Sequence, residues 1–301
     1  MTCKSFFSSI RYHVSRFIAG FLPDKLYLSI KYRVHLGYWM DWKNPRTYNE
    51  KLQWLKVYYR RKDFSIMVDK SAAKKYVAKK IGEEHIIPTI AAYDSAADID
   101  FDNLPQRFVL KCTHDSGGLV VCQNKDSLDF DAARAKMEKA LKRTYVVQNR
   151  EYPYKFVPRK IIAEHYMEES EYGELRDFKF YCFEGNPQYL LVASGRQKGK
   201  KRFDYFDIHW NHWPVHDEGC PNNDVTPEKP KNFEKMLEIA KTLSEGIPHV
   251  RVDLYNIDGR IYFGEMTFFD GSGCNIYEPR VYDEIFGKYL TLPQPRDDYR
   301  L

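Results

Sequence analysis

A hairpin that carries charges inside its strands constrains this chain most. Val250-Arg251-Val252-Asp253-Leu254-Tyr255 and Ile261-Tyr262-Phe263-Gly264-Glu265-Met266-Thr267 are β-rich runs separated by Asn256-Ile257-Asp258-Gly259-Arg260. Strand side chains alternate between faces, so Arg251, Asp253 and Tyr255 share one face and Val250, Val252 and Leu254 the other. Asp-Gly between such runs signals a hairpin turn. Register then decides what the hairpin can do, because a one-residue slip sends every side chain to the opposite face. A three-residue loop over Ile257, Asp258 and Gly259, with Gly259 at a bulge, pairs Asn256 with Arg260. It sets Arg251 opposite Glu265, and Asp253 opposite Phe263 and diagonal to Glu265, all on one face with Thr267. A two-residue Asp-Gly loop puts Asp253 and Glu265 on opposite faces. The three-residue loop is the expectation.

Two carboxylates on one face of paired strands offer hard oxygen donors for Mg²⁺ beside nucleotide phosphates. Arg251 next to them can face developing oxyanion charge. The competing reading is a surface ion-pair ladder, which contributes little.

A second constellation lies upstream. Phe108-Val109-Leu110-Lys111 reads as a strand and runs into Cys112-Thr113-His114-Asp115-Ser116-Gly117-Gly118, with another strand at Leu119 to Cys122. A strand lysine beside a Ser/Gly loop can hold phosphates through its ammonium and backbone N–H groups; a plain turn is the competing reading. GxxxxGK[ST] is absent, and no GxGxxG opens a helix. A nucleophile–base role for His114 with Cys112 or Ser116, or for Cys274, has no supporting pattern. The basic run Arg196 to Arg202 reads as a solvated loop or an anion site.

Around these pieces the pattern predicts helices from Asp69 to Ile81 closed by Gly82, from Asp131 to Thr144, and from Phe233 to Glu245. Strands are expected near Ile86 to Tyr93, Lys160 to Glu164, Asp177 to Phe183 and Gln188 to Ala193. Thr47 with Glu50 fits a capping box. The class is α+β. Six scattered cysteines form no CxxC pair or zinc spacing and read as reduced thiols.

The net charge of +5 resides entirely in residues 1–35, where Lys4, Arg11, Arg16, Lys25, Lys31 and Arg33 face Asp24 alone. The rest is balanced, which argues against nucleic acid. Phe6, Phe7, Ile10, Val14, Phe17, Ile18 and Phe21 recur at helical spacing between these cations. Such a segment either packs on the body or rests on an anionic membrane surface. No run approaches the roughly 20 apolar residues of a span, and Phe17 to Leu22 is short of a signal-peptide core of about 7–15. A cytoplasmic protein is expected, with peripheral contact at the inner membrane through residues 1–35 as the sharper alternative.

The order of the pieces resembles the ATP-grasp superfamily from about residue 67 onward. It comprises Asp69-Lys70 opening a helix that ends at Gly82, Ile87-Pro88, Phe108 to Lys111, Ser116-Gly117-Gly118, Ile161-Ile162-Ala163-Glu164-His165-Tyr166, Arg251-Val252-Asp253, Gly264-Glu265-Met266-Thr267 and Gly271-Ser272-Gly273. Asn44-Pro45-Arg46-Thr47-Tyr48-Asn49-Glu50-Lys51-Leu52-Gln53-Trp54-Leu55, Val68-Asp69-Lys70, Leu110 to Gly118 and Arg251 to Tyr255 resemble the TupA-like branch, found with bacterial capsule, O-antigen and teichuronopeptide biosynthesis. That likeness covers nearly all of the chain from residue 30.

The resemblance implies an ATP-grasp fold of two α+β lobes with ATP in the cleft. A helical N-terminal segment (1–66) would precede a catalytic domain (67–301), with a lid lobe at about 105–164 and a metal-binding lobe at about 165–301. It implies ATP and Mg²⁺ as cofactors, with Lys70 and Lys111 on the phosphates and Ser116, Gly117 and Gly118 as the loop that closes over them. Glu164 would accept from the adenine amino group, with the backbones of His165 and Tyr166 on the ring edge. Asp253, Glu265 and Thr267 would be the metal ligands, Thr267 standing where Asn is usual, and Arg251 would lie near the transferring phosphate. Glu168, Glu169 and Glu171 are all eligible to hold ribose. Lys179 either contacts a phosphate or is a strand-face charge.

The implied activity is carboxylate–amine ligation through an acyl phosphate, with Arg251 and Lys111 as the catalytic cations. The substrates would be an amino acid and a uronic acid of a bacterial surface polysaccharide. The rivals are a glycosyltransferase of the same pathways, for which Asp98-Ile99-Asp100 has the form of a metal motif, a phosphotransferase on the same fold, and a non-catalytic nucleotide-binding regulator.

Overall fold

A computed structural model describes residues 22–169, 174–195 and 199–299 of the chain. The apolar-basic segment expected to be helical is described only from residue 22, as helix α1 (Asp24–Leu36). Positions 196–198 of the basic run lie outside the described residues. Helix α2 (Tyr48–Tyr58) opens on the expected capping box, with the Glu50 N–H donating to Thr47 Oγ1 (3.2 Å) and the Thr47 N–H to Glu50 Oε2 (3.1 Å). Helix α3 (Ala72–Ile81) stops at Gly82, whose φ of 104° suits a residue without a Cβ.

The small sheet comprises β1 (Thr89–Tyr93), β2 (Phe108–Cys112), β3 (Leu119–Cys122) and β4 (Ile161–His165), antiparallel in the order β1-β4-β2-β3. Alternation in β2 sends Phe108, Leu110 and Cys112 into a core with Ala133, Met137 and Ala140 of helix α4 (Phe130–Leu141). Lys111 and Glu164 stand on the other face.

The large sheet holds β5 (Asp177–Phe183), β6 (Asn186–Ser194), β7 (Arg202–Asp207) and β8 (His212–Trp213). After helix α5 (Phe233–Ser244) come β9 (His249–Ile257) and β10 (Arg260–Thr267), and the antiparallel order is β10-β9-β5-β6-β7-β8. Strands β7 and β8 are absent from the sequence-based expectation, where the basic run reaching Arg202 masks the start of β7. Phe178, Phe180, Val250 and Val252 join Met236 and Ala240 of α5 in one buried core. On the opposite face the sheet divides. Tyr181, Tyr189 and Tyr205 are roofed by Tyr48 of α2 and Phe286 of helix α6 (Val281–Tyr289). Beyond them, Asp177, Lys179, Arg251 and Asp253 form a charged half.

The expected division at residues 66/67 does not follow the packing. Leu52, Leu55 and Phe64 belong to the same core as the large sheet, with Phe64 stacked on Phe268 at 3.9 Å. The small lobe also begins earlier than residue 105, since β1 is one of its strands.

Candidate active site

The hairpin departs from its expected register. Ile257 pairs with Arg260 around a two-residue turn, Asp258-Gly259, with φ of 53° and 95°. Both angles are positive, as a tight hairpin turn with the twist of its strands requires. By itself this loop would split the carboxylates between faces. The ladder shifts between Leu254↔Phe263 and Asp253↔Glu265, leaving Gly264 as an extra, unpaired residue. This is a β-bulge at Gly264, not at Gly259, and it restores one face to Arg251, Asp253, Glu265 and Thr267. Arg251 consequently lies opposite Thr267, and Asp253 opposite Glu265.

On its other side β9 meets β5, which sets Arg251 beside Tyr181 and Asp253 beside Lys179. The Arg251 guanidinium grips Asp253 with two bonds of 2.7 Å, donates to Thr267 Oγ1 at 3.1 Å, and holds Asp270 through Nη1. Asp270 also accepts from the Tyr181 hydroxyl (2.7 Å) and Asn275 Nδ2 (2.8 Å). Lys179 donates to Oδ2 of Asp253 and lies 3.3 Å from Asp177. Lys179 is thus an internal partner of Asp253 in this arrangement.

Burial drives Asp253 above the usual carboxylate range, although Arg251 and Lys179 pull the other way. Across the strand pair, burial also acts to raise Glu265, yet Lys70, Lys179, Arg251 and Lys111 together hold it at about 2. The Glu265 side chain is 37% exposed, against 2% for Asp253, so it is the acid that opens onto solvent. Its oxygens lie 3.4 Å from Arg251 and 3.6 Å from Lys70.

Lys70 ties this face to the glycine loop. Its ammonium donates to the Asp115 carbonyl (2.8 Å) and its N–H to the Thr113 carbonyl (3.2 Å). The loop is braced below and open at its tip. His114 and Asp115 are buried, whereas Ser116 and Gly117 are exposed. A Cβ on Gly118 would come within 2.2 Å of Asp115 Oδ2 and 2.6 Å of Ala140, so that position needs glycine. Arg143 fixes Asp115 from outside at 2.9 Å.

On the small sheet, Lys111 and Lys74 each approach Glu164 to 2.5 Å. Lys74 also donates to the Ile87 carbonyl and Thr89 Oγ1, both at 2.7 Å. Burial opposes ionisation of Glu164, but the two ammonium groups win and hold it below its usual range. The Glu164 carboxylate is therefore engaged by lysines rather than presented to an adenine amino group. His165 is exposed, and Tyr166 is fixed by Gln123 (2.8 Å to its hydroxyl) with the Arg107 guanidinium 4.2 Å from its ring. Of the ribose candidates, Glu169 is locked against Arg176, Glu168 pairs with Arg107 at the surface, and Glu171 lies outside the described residues.

Neither cysteine gains support as a nucleophile. Burial pushes the Cys112 thiol up to about 12 and also raises Cys274. Asp98 and Asp100 cap local turns through Ser95 and Asn103. Two residues of the site escaped the sequence reading. Lys74 is one of several lysines in α3, and nothing in the sequence separates it from Lys75 or Lys79. Asp270 reads as a turn residue before Gly271.

Among the described residues no three His, Cys, Asp or Glu side chains converge as a metal cage. Of the hard oxygen donors on this face, which suit Mg²⁺ by type, Glu265 is the open one; Asp253 is held by Arg251 and Lys179, and the Thr267 hydroxyl by Arg251.

Residues 50–291 match the TupA-like ATPgrasp family. No curated protein matches the chain. Among solved structures, it resembles D-alanine–D-alanine ligase from Bacillus anthracis complexed with ATP at 15% identity and a TM-score of 0.39, over 67% of this chain and 54% of that one. The corresponding ligase from Helicobacter pylori gives 13% and 0.40, over 76% and 60%. The ATP-grasp ligase PsnB, complexed with minimal precursor, Mg and ADP, gives 10% and 0.38, over 78% and 65%. The chain thus spans little more than half of the Bacillus anthracis ligase. From the family match over most of its length, the chain belongs to the TupA-like ATP-grasp family.

Proposed function

We propose that the protein is an ATP-dependent ligase that activates a carboxylate as an acyl phosphate and joins it to an amine. The observation that carries this reading is the Arg251 centre: a buried guanidinium held by Asp253 and Asp270, on one face with the open carboxylate of Glu265. Lys70 and Lys111 bring further positive charge to Glu265. That concentration of fixed cations suits a reaction in which negative charge gathers on a transferring phosphoryl group.

In this reading Lys70 and Lys111 hold the nucleotide phosphates, with Ser116, Gly117 and Gly118 closing over them. The backbones of His165 and Tyr166 read the adenine edge, and Glu164 orients Lys111 and Lys74. Mg²⁺, when bound, neutralises phosphate charge and would be held by Asp253 and Glu265 with the Thr267 hydroxyl. Arg251 faces the oxyanion that forms as the amine attacks the acyl carbon, and Asp270 keeps it aimed. The amine loses its proton as the C–N bond forms, and phosphate leaves. No enzyme nucleophile is required.

The substrates proposed are an amino acid and a uronic acid of a bacterial surface polysaccharide, which rests on the setting of the family. This reading places the work in the cytoplasm. The test is ATP consumption with Mg²⁺ against a panel of amino acids and uronic-acid glycans, with products identified by mass. ADP, phosphate and a new amide, all lost in Asp253→Ala and Glu265→Ala, are the expected outcome. A nucleoside diphosphate released from a sugar nucleotide, with no ATP use, would overturn the reading in favour of a glycosyltransferase.

A further inference from the structure

Helix α1 presents an apolar stripe to solvent. Leu26, Ile30 and Val34 recur at intervals of four and are 48%, 41% and 56% exposed. A spacing of four keeps side chains on one helix face. Just past the helix, Tyr38 and Trp39 extend the apolar surface, Trp39 at 63% exposure. The rest of the circumference of α1 is already used, with Tyr27, Leu28, Tyr32 and Leu36 buried against the body. The stripe is therefore not a core face turned the wrong way. It is a second apolar face, left over after packing is satisfied.

Its charge setting is one-sided. Arg33 is exposed beside the stripe, whereas the Lys25 ammonium lies away from it, 5.4 Å from the Trp42 ring and 6.0 Å from the Tyr58 ring. Asp24, the sole acid in residues 1–35, points inward: Arg60 lies 2.7 Å and Arg150 2.8 Å from its oxygens, and the Tyr152 hydroxyl donates at 2.6 Å. It therefore does little to offset the surface cations. The sequence before the helix adds Lys4, Arg11 and Arg16 with no acid. Asp41 is the next acid along the chain, and its carboxylate accepts from the Lys43 and Asn44 N–H groups.

We propose that this face docks on an anionic lipid bilayer. Leu26, Ile30, Val34 and Trp39 would enter the acyl boundary, with Arg33 at the headgroups. Apolar residues on one helix face, flanking Lys and Arg, and an aromatic at the edge are the combination that interfacial helices use, lying in the surface to a depth of about 5–10 Å. No helix among the described residues is long and apolar enough to cross a membrane. A protein partner would be served equally well by the apolar stripe alone; the excess of Lys and Arg over acids in residues 1–35 favours the bilayer. Docking here also sets the membrane next to a cavity of about 310 Å³ whose lining includes Leu36, Tyr38, Asn275, Arg280, Asp283 and Glu284. Asn275 holds Asp270, and Asp270 holds Arg251, so the face and the Arg251 centre are joined by a short chain of contacts.

The test uses the full chain with sedimented vesicles of phosphatidylcholine, with and without phosphatidylglycerol. The expected result is binding to the anionic vesicles alone, weakened by salt and reduced roughly tenfold or more in the double variant Leu26→Asp/Val34→Asp. These side chains are exposed, and unchanged circular dichroism would verify that the variant is folded. Trp39 supplies an independent readout, since Trp42, Trp54, Trp210 and Trp213 are all half-buried. Brominated lipid should quench the wild type and leave Trp39→Phe unquenched by the same vesicles. Absence of binding, equal binding by the double variant, or a dimer in solution that the double variant abolishes would each overturn the proposal.

Discussion

Each sheet holds one buried carboxylate between two cations, and the two carboxylates respond in opposite directions. Glu164 on the small sheet is held below its usual range by Lys111 and Lys74, against burial. Asp253 on the large sheet is raised by burial despite Arg251 and Lys179. The number of partners does not separate them. Desolvation falls on the whole Asp253 cluster, whose Arg251 and Lys179 side chains are only 9% and 6% exposed, against 15% and 20% for Lys74 and Lys111. The large-sheet cations are also shared, Arg251 with Asp270 and Lys179 with Asp177, and Glu265 adds a like charge opposite Asp253. A pair of cations nearer the surface thus outweighs the burial of its acid, whereas a shared, more deeply buried pair does not.

Removing one cation from each cluster should separate them most. Arg251→Met would leave Asp253 with Lys179 alone and Asp270 with no cation, only Tyr181 and Asn275, and should cost about 3–5 kcal/mol in urea unfolding. It should also lower kcat by roughly 10²–10³. Lys111→Met leaves Lys74 on Glu164 and should cost about 1–2 kcal/mol. Equal losses from the two variants would show that sharing and depth do not matter.

Gly264→Ala probes the bulge that aligns the large-sheet acids. A Cβ there meets the Asp253 carbonyl at 3.0 Å and the Tyr255 ring at 3.3 Å, so a loss of about 1–3 kcal/mol is expected, with activity falling further than stability. Thr47→Ala removes half of the capping box far from either cluster and should cost about 1 kcal/mol with turnover unchanged.

The weakest effect is in pH dependence, where the two lobes should differ in sign. Glu164 is depressed, so its contribution is full above the unfolded value of about 4.3 and is lost as pH falls through the folded one. Asp217, beside the large sheet, is pushed up to about 7 by burial and by Asp270. Its contribution is full below about 3.9 and is lost as pH rises through about 7. Thermal melts from about pH 3 to 8 should therefore show Glu164→Gln flattening the acid limb and Asp217→Asn flattening the decline towards neutrality.

Much of the fold is readable from the residues alone. Alternation marks β2, β5, β9 and β10, and Thr47 with Glu50 announces α2. Gly82 ends α3 where its conformational freedom suggests. What escapes depends on long-range packing. Strand β7 follows a run of cations and gains its identity only from pairing with β6, and β8 only from pairing with β7. Lys74 and Asp270 acquire roles solely because distant carboxylates and guanidinium groups arrive beside them. The hairpin register escapes for a more local reason. The Asp258-Gly259 turn takes the short form that positive φ favours, and the extra residue that keeps the acids together lies beyond it within β10, at Gly264.

That extra residue makes the hairpin a counting device. Removing Gly264 would let Glu265 follow Phe263 directly in a regular ladder, still across from Asp253, because a glycine outside the pairing is all that is lost. Removing a single residue from the turn would instead exchange the inward and outward sets of one strand and send Glu265 and Thr267 towards α5. Single-residue gaps in related sequences should therefore fall at this glycine, and a gain in hairpin length should come in pairs.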